Sequence, residues 1–337
     1  MLASLVSTVP SPLLSAPACA LLVLNWNGAR WLEKCLPSLV TAAEAVPGAR
    51  VVVVDGDSHD GSERVCREQF PSVAWEPLGV NKVLAGYNIA AARCPEPVLV
   101  LLNNDLVADP SFLPPLLAAL RSAPDVFAVS VCMRGFPPAP DAPIERQAET
   151  PRWTGGMLRA DGDSAAATVP DEARGTLPTF YACGGALACD RARFLELGGF
   201  DELFLPGYYE DVDLCWRAWK RGWTCLYEPR AVVYHAGGAS MGRSPHVHAL
   251  IARNEFLFHW KNLTTPAWLL RHLLSLPPRL LVALARGDRA RLRGFAQAVA
   301  LLPRALSARR TVGHAVVRDD AAVVRFIREG HQRQAPA

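Results

Sequence analysis

Acidic side chains follow apolar runs at three points of the sequence, and chemistry could be done at each. Val51-Val52-Val53-Val54 ends in Asp55, with Gly56, Asp57, Ser58, His59, Asp60, Gly61 and Ser62 behind it. Val98 to Leu102 runs into Asn103, Asn104 and Asp105, and Tyr208-Tyr209 precedes Glu210, Asp211, Val212 and Asp213. Ligands of open parallel sheets bind outside the carboxyl ends of the strands, so two strands that each deliver an aspartate there make a polar crevice on an apolar floor. Each acid also has a plainer reading. Asp60 or Ser58 could cap the next helix, and Asp105 could be a turn residue before Asp109-Pro110. Glu210, Asp211 and Asp213 could favour the positive end of a helix dipole. Their joint occurrence, in this order on this strand rhythm, favours a functional site over three unrelated structural roles.

The elements that must position these acids alternate short apolar runs with helical patterns, the rhythm of a mostly parallel sheet flanked by helices. Ala20 to Leu24, Val51 to Val54, Val98 to Leu102 and Phe127 to Val131 read as strands. Leu32, Leu36, Leu39 and Ala43 recur at helical spacing from about Ala29, and Ser62 to Phe70 and Ala85 to Arg93 also read as helices. Asp109-Pro110 is a helix start for the segment through Leu120. From Arg134 to Pro178 prolines, glycines and polar residues predict a long irregular connection with a small hairpin near Trp153. Order resumes at Thr179 to Ala188. Asp190 caps a short helix ending at Gly198-Gly199, and a helix from about Asp211 stops at Gly222. Trp223 to Tyr227 and Ala231 to Tyr234 are the last strands.

This divides the chain into a leader over 1–18, an α/β domain over 19–262 and a basic helical tail over 263–337. The leader reads as flexible, because prolines 10, 12 and 17 and the lack of a basic start argue against a signal peptide. In the tail, Leu269, Leu270, Leu273, Leu274, Leu280, Leu281 and Leu284 alternate with Arg271, His272, Arg279 and Arg286, and Pro277-Pro278 is expected to break the pattern into a helical hairpin. That hairpin could pack on the domain, or residues 263–310 could lie on an anionic membrane surface.

The acidic segments are similar to those of the inverting family 2 glycosyltransferases of the GT-A fold, in their bacterial rhamnosyltransferase-like branch. The matching segments are Val23-Leu24-Asn25-Trp26-Asn27-Gly28, Val53 to Ser62, Leu101 to Asp105, Gly198 to Glu202, Tyr209 to Arg217 and Val233-Tyr234-His235. Arg253-Asn254 through Lys261-Asn262 also fits, without a chemical role that the residues themselves suggest. The resemblance implies that Asp55 holds the nucleotide base with help from Asn25 and Asn27. It implies a nucleotide-sugar site that also takes in Asp57, Asn81, Asn103 and Asn104. Asp105 would be the metal-contacting carboxylate, His235 would complete the metal shell, and Asp211 would be the catalytic base beside Glu210, with Asp213 as its rival. A diphosphate leaving group calls for a hard divalent cation with oxygen ligands, Mg2+ or Mn2+, and an imidazole tilts the choice to Mn2+. Gly56 stands where the family has Asn, Val83 where it has Gly, and Asn103 where it has an acid.

The resemblance implies as partners a nucleotide-sugar donor, with a dTDP-deoxysugar such as dTDP-rhamnose the branch-level expectation and UDP- and GDP-sugars open, and a glycan, lipid-linked or small hydroxylated acceptor, in cell-surface glycan synthesis. A non-catalytic sugar-nucleotide-binding or scaffold protein on the same fold would be expected to lose Asp105, Asp211 or His235, and all three are present. No Gly-x-Gly-x-x-Gly follows a strand, which argues against a dinucleotide oxidoreductase. A net charge of +3 without an aromatic-interleaved basic stripe gives no support for nucleic acid. Nine cysteines without a Cys-x-x-Cys read as free thiols of a reducing cytoplasm. Core packing is expected for at least two of Trp216, Trp219 and Trp223, while Trp26 is the better pocket candidate. His246 and His248 resemble a metal pair but are expected in a loop, as bystanders or lining the acceptor entrance.

Overall fold

The computed structural model describes residues 19–139, 142–162, 175–236, 244–313 and 316–333; the leader lies outside them. In chain order come β1 (Cys19–Asn25), α1 (Ala29–Glu44), β2 (Ala49–Asp55), α2 (Ser62–Gln69), β3 (Ala74–Pro77), α3 (Gly86–Arg93), β4 (Val98–Asn103), β5 (Leu106–Ala108), α4 (Leu113–Leu120) and β6 (Val126–Gly135). Then come β7 (Ile144–Arg146), β8 (Glu149–Thr154), β9 (Met157–Gly162), β10 (Leu177–Pro178), β11 (Ala186–Asp190), α5 (Arg191–Glu196), α6 (Glu210–Lys220) and β12 (Thr224–His235). The described helices end with α7 (Pro245–Asn262), α8 (Pro266–Ala285), α9 (Arg289–Ala300), α10 (Leu302–Gly313) and α11 (Asp320–Arg333).

The central sheet has the order β10-β12-β6-β11-β4-β1-β2-β3. Parallel pairing joins β4-β1-β2-β3 and also β12-β6, while β11 runs antiparallel between β4 and β6. Because successive strand residues point to opposite faces, each apolar run feeds two cores. Leu22, Val54 and Leu101 pack with α3, α5 and α6 on one face; Leu21, Val53 and Val100 pack with α1, α2 and α4 on the other. Two strands buried on both sides are why β1 and β4 are apolar without alternation. The same stacking aligns Asn25 with Asp55 and Leu24 with Asn103 at one edge.

Several local expectations change. Asp109 does not cap α4, which starts at Leu113; its Oδ1 accepts from Ser111 N and Oγ in a turn ahead of the helix. A serine two residues on offers the carboxylate a nearer partner than a helix amide. The two late strands are one, β12, whose register against β6 shifts between Glu228 and Val232 around Pro229. Short strands β3, β5 and β7 join the sheet where no strand was expected, and the hairpin near Trp153 is β8–β9. Pro277-Pro278 does not break α8. The carbonyls those prolines leave without an amide belong to Leu273 and Leu274, which are 46% and 67% exposed, so water can take the place of the missing donors. His246 and His248 lie on exposed positions of helix α7, not in a loop. Trp216 and Trp219 are fully buried, and none of the nine cysteines is in a disulfide.

Candidate active site

The edge where β1, β2 and β4 end is tied into one polar knot. Asn25 Nδ2 donates to Asp55 Oδ1 at 2.9 Å, and Asn104 Nδ2 donates to Asn25 Oδ1 at 2.8 Å. Ser58 closes the knot, donating from its hydroxyl to Asp55 Oδ1 (2.6 Å) and from its amide to Asp55 Oδ2 (2.8 Å), while accepting from Asn27 N (2.7 Å). Asn27 Oδ1 in turn accepts from His59 N at 2.9 Å. Both oxygens of Asp55 are therefore engaged within the protein. The close approach needs Gly28: a Cβ there would stand 2.0 Å from Asn104 Nδ2. Asp60 bonds the first amide of α1, Ala29 N, at 2.9 Å and also Ser62 N, so it is a helix-start residue.

Asp57 and Asn81 flank this knot without joining it. Asp57 is exposed at φ 71°, with His59 Nε2 3.7 Å away. Asn81 packs on Gly56, where a Cβ would lie 3.3 Å from Asn81 Cα. The Asn81 side chain accepts from Val83 N at 2.9 Å, and Val83 has φ 47°, a conformation a β-branched residue adopts only under strain. Trp26 is 56% exposed beside the knot.

Asp105 and His235 meet because β5 pairs with β12, placing His235 opposite Leu106. Asp105 is 5% exposed; its Oδ2 lies 3.1 Å from His235 Nε2, and its Oδ1 is buried with no hydrogen-bond partner. His235 Nδ1 is 2.9 Å from Glu145 Oε2. The Asp105 bond, then its charge and that of Glu145, raise the imidazole pKa above its ordinary value against the opposing effect of burial. Glu145 was not visible as a site residue, because it lies on a three-residue strand inside the stretch that reads as irregular.

The third acidic segment is brought to the same edge by Gly184-Gly185, a pair that sequence reasoning passed over inside an otherwise apolar run. Consecutive glycines in a strand-like run signal close backbone approach, and that was the available clue. A Cβ on Gly185 would stand 2.5 Å from the Asn103 side chain, and one on Gly184 would stand 3.2 Å from Asp211 Cβ. Asn103 N donates to Gly185 O at 2.8 Å, and Gly184 N donates to Asp211 Oδ2 at 3.2 Å. Asp211 is half-buried.

Its two acidic neighbours are placed differently. Glu210 is 9% exposed, its Oε2 has no partner, and it lines a small cavity with Leu84, Phe200 and Phe204. Burial, with Asp211 alongside, pushes its carboxyl up to about 8, which favours the protonated form. Asp213 faces away from the crevice into the core, with no exposed surface. It is held by Arg217 Nε (2.8 Å), Lys261 Nζ (2.7 Å) and Asn262 Nδ2 (2.7 Å). Burial alone would raise its pKa, but the Arg217 and Lys261 charges outweigh it and leave the group below its ordinary value. An acid so enclosed is a structural anion, which argues against Asp213 as the base.

The turn that presents Asp211 is strained and clamped. Tyr208 and Tyr209 have φ of 71° and 73°, a region L-residues rarely adopt. Buried Asn254 on α7 donates from Nδ2 to Phe204 O (2.9 Å), Gly207 O (2.8 Å) and Tyr208 O (2.8 Å). Arg253-Asn254 and Lys261-Asn262, which had no role on sequence grounds, thus hold the start of α6 from the outside and the inside. A larger cavity, about 400 Å³ between the Gly198-Gly199 turn, α6 and α10, is lined by none of Asn25, Asp55, Asp105, Asp211 or His235.

A mixed sheet with acids converging at one edge is the architecture of GT-A glycosyltransferases, and solved structures of that fold match it. The structure of GalNAc-T7 with UDP, GalNAc and Mn2+ aligns at TM-score 0.54 and 14% identity over 72% of this chain and 47% of that one. The mannosyltransferase PcManGT of Pyrobaculum calidifontis, with GDP-Man and Mn2+, aligns at 0.52 and 17% identity over 89% of this chain and 86% of that one. Residues 17–253 match the model of glycosyltransferase-like family 2, and the chain belongs to that family. Among curated relatives, the N-acetylglucosaminyl-diphospho-decaprenol L-rhamnosyltransferase of Mycobacterium tuberculosis is 30% identical over 78% of this chain and 92% of its own. Validoxylamine A glucosyltransferase of Streptomyces hygroscopicus is 24% identical over 64% of this chain and 54% of its own.

Proposed function

We propose that this glycosyltransferase moves a deoxyhexose such as rhamnose from a nucleoside diphosphate to a hydroxyl of a lipid-linked sugar, with inversion at the anomeric carbon. The donor and acceptor class follow the mycobacterial relative, whose name specifies rhamnosyl transfer to a diphospho-decaprenol sugar. The observation that carries the chemistry is the Gly184-Gly185 bridge, which seats Asp211 against the β4 edge that ends in Asn103.

Asp211 takes the proton of the acceptor hydroxyl as that oxygen attacks the anomeric carbon, and the bond to the diphosphate breaks on the opposite side. A single displacement of this kind inverts the centre. Glu210, buried and tilted towards its protonated form, is not the base in this reading. Asn25, Asn27 and Asp55 form the nucleotide end of the crevice, with Asp57, Asn81, Asn103 and Asn104 around it.

The residues present fit a divalent cation. Asp105 Oδ1 is a buried carboxylate oxygen without a partner, and His235 stands beside it. Among the described residues no group of three or more acidic, histidine or cysteine side chains could hold a metal alone, so in this proposal the donor's phosphates supply further ligands. Mn2+ or Mg2+ held by Asp105 and His235 would neutralise charge on the departing diphosphate.

The test is binding and turnover of a nucleotide-sugar panel with Mn2+, Mg2+ or EDTA. Asp105→Ala should lose metal-dependent donor binding. Asp211→Asn should bind donor normally and turn over about 10²–10⁴-fold more slowly. If no nucleotide sugar binds under any metal condition, the proposal is wrong; if Asp211→Asn keeps full turnover, the base assignment is wrong.

A further inference from the structure

The outward face of α8 is apolar and bare. Leu270, Leu273, Leu274, Pro277, Leu281 and Leu284 recur at helical spacing and so share one face, and each of the leucines is 46–67% exposed. The helix cannot roll to hide them, because its inner face is fixed to the β8–β9 hairpin. Trp268 stacks on Trp153 with ring centroids 4.3 Å apart, and His272 Nδ1 meets Gly156 O at 2.9 Å. Arg279 Nη2 donates to Gly155 O at 2.6 Å, and a Cβ on Gly156 would stand 2.6 Å from Ser275 Oγ. A lone exposed leucine is ordinary; a stripe of them along a 20-residue helix is a surface that something covers.

Charge selects the occupant. Residues 263–310 contain nine arginines and a single acid, Asp288. Arg271, Arg286, Arg289 and Arg293 are exposed on α8, α9 and the turn between them. The covering surface must therefore offer apolar volume and negative charge together. A second copy of this chain would oppose the arginines with arginines. An anionic lipid leaflet meets both demands, acyl chains for the leucines and headgroup phosphates for the guanidinium groups. No described helix is long and apolar enough to cross a membrane, so contact would be made lying in the interface. We propose that α8, with the start of α9, docks the protein on an anionic membrane surface through this leucine stripe. The inference is independent of the transferase reading.

Flotation of the full chain with vesicles of phosphatidylcholine alone, or of phosphatidylcholine mixed with phosphatidylglycerol, tests it. The protein should float with the anionic vesicles and not the neutral ones, and raised salt should weaken binding. Leu274→Glu/Leu281→Glu alters two side chains that are 67% and 66% exposed, so it should keep the native melting temperature while vesicle affinity falls about tenfold or more. Should that variant misfold, Arg286→Glu/Arg293→Glu carries the same expectation. The proposal is overturned if the wild type ignores anionic vesicles, or if both variants float as it does. It is equally overturned if sizing shows a dimer that the leucine variant disperses while vesicles bind neither form.

Discussion

Asn254→Ala should loosen the turn that presents Asp211 while leaving the sheet intact. The Asn254 amide nitrogen carries two protons and serves three carbonyls, those of Phe204, Gly207 and Tyr208, at 2.8–2.9 Å. Alanine can remove at most two full hydrogen bonds to these carbonyls, together with the one that Asn254 Oδ1 accepts from Arg253 Nε at 2.8 Å, worth about 0.5 kcal/mol on a part-exposed donor. Phe204 is buried like Asn254, so its carbonyl is left facing no water at about 1–3 kcal/mol, while Gly207 and Tyr208 are partly exposed and lose an ordinary bond of about 0.5–1.5 kcal/mol. The loss is about 2–5 kcal/mol before relaxation. Relaxation works the other way, because Tyr208 and Tyr209 are held at positive φ at a cost of about 1–3 kcal/mol each. Released, they leave that region, the start of α6 shifts, and the 3.2 Å contact from Gly184 N to Asp211 weakens. Stability should fall by about 2–4 kcal/mol in urea unfolding followed by tryptophan fluorescence, since Trp216 and Trp219 are buried on α6 itself. Turnover should fall with donor binding retained, because the nucleotide end of the crevice does not touch this turn. Proteolysis should open the segment around Pro206. A stability loss under about 1 kcal/mol with unchanged turnover would refute the argument, showing that the turn keeps its shape without the clamp.

Other expectations are separable from this one. Val83→Gly removes the strain of a β-branched residue at φ 47° and should stabilise by about 0.5–2 kcal/mol after the extra freedom of an unfolded glycine is counted; destabilisation in urea melts would show that Val83 packing outweighs strain. His259 and His272 stack with centroids 4.8 Å apart, and burial holds both imidazoles neutral, His259 down to about 3. Folded pKa values below the unfolded one mean stability that is complete above about pH 6.5 and lost as pH falls, about 2 kcal/mol from His259 alone between pH 6.5 and 5. Urea midpoints at the two pH values should show that fall, and His259→Gln should flatten it. Glu145→Ala should weaken Mn2+ binding, read by electron paramagnetic resonance, about tenfold through loss of the partner that orients His235. Glu145 is 41% exposed, so folding stability should be unchanged; unchanged Mn2+ affinity would remove Glu145 from the site.

What could be read in advance depended on how local its physical cause was. The runs Ala20–Leu24, Val51–Val54 and Val98–Leu102 are apolar without alternation because both faces of β1, β2 and β4 are covered, and such runs identify themselves. Asp190 was legible as a cap because its bond to Arg193 N, at 2.8 Å, spans only three residues. The antiparallel insertion of β11 between β4 and β6 was not legible, since no pattern within Ala186–Asp190 encodes strand direction. Nor was Glu145: β7 is three residues long, and its meeting with His235 depends on separate pairings of β6 with β7 and with β12. The prolines of α8 misled because their effect depends on whether the orphaned carbonyls reach water, which is a property of the packed helix.

The choice between Asp211 and Asp213 shows the same limit at one turn of helix. Two residues apart on α6, they point in directions about 200° apart, so one should face the crevice and the other the core. The sequence of α6 does not say which, because both lie at a helix start where acids are favoured. The decision is made by α7, where Lys261 and Asn262 reach Asp213 while Asn254, seven residues before Lys261 and so on nearly the same face, grips the turn ahead of Glu210. Arg217 adds its charge from within α6 and also donates to Leu197 O and Gly199 O, tying Asp213 to the glycine turn after α5. Asp213 is thereby fixed as the anchor about which the helix start is set, and Asp211 is left toward Gly184 and the end of β4. The residues that assign these roles lie about fifty positions downstream of the acids they sort.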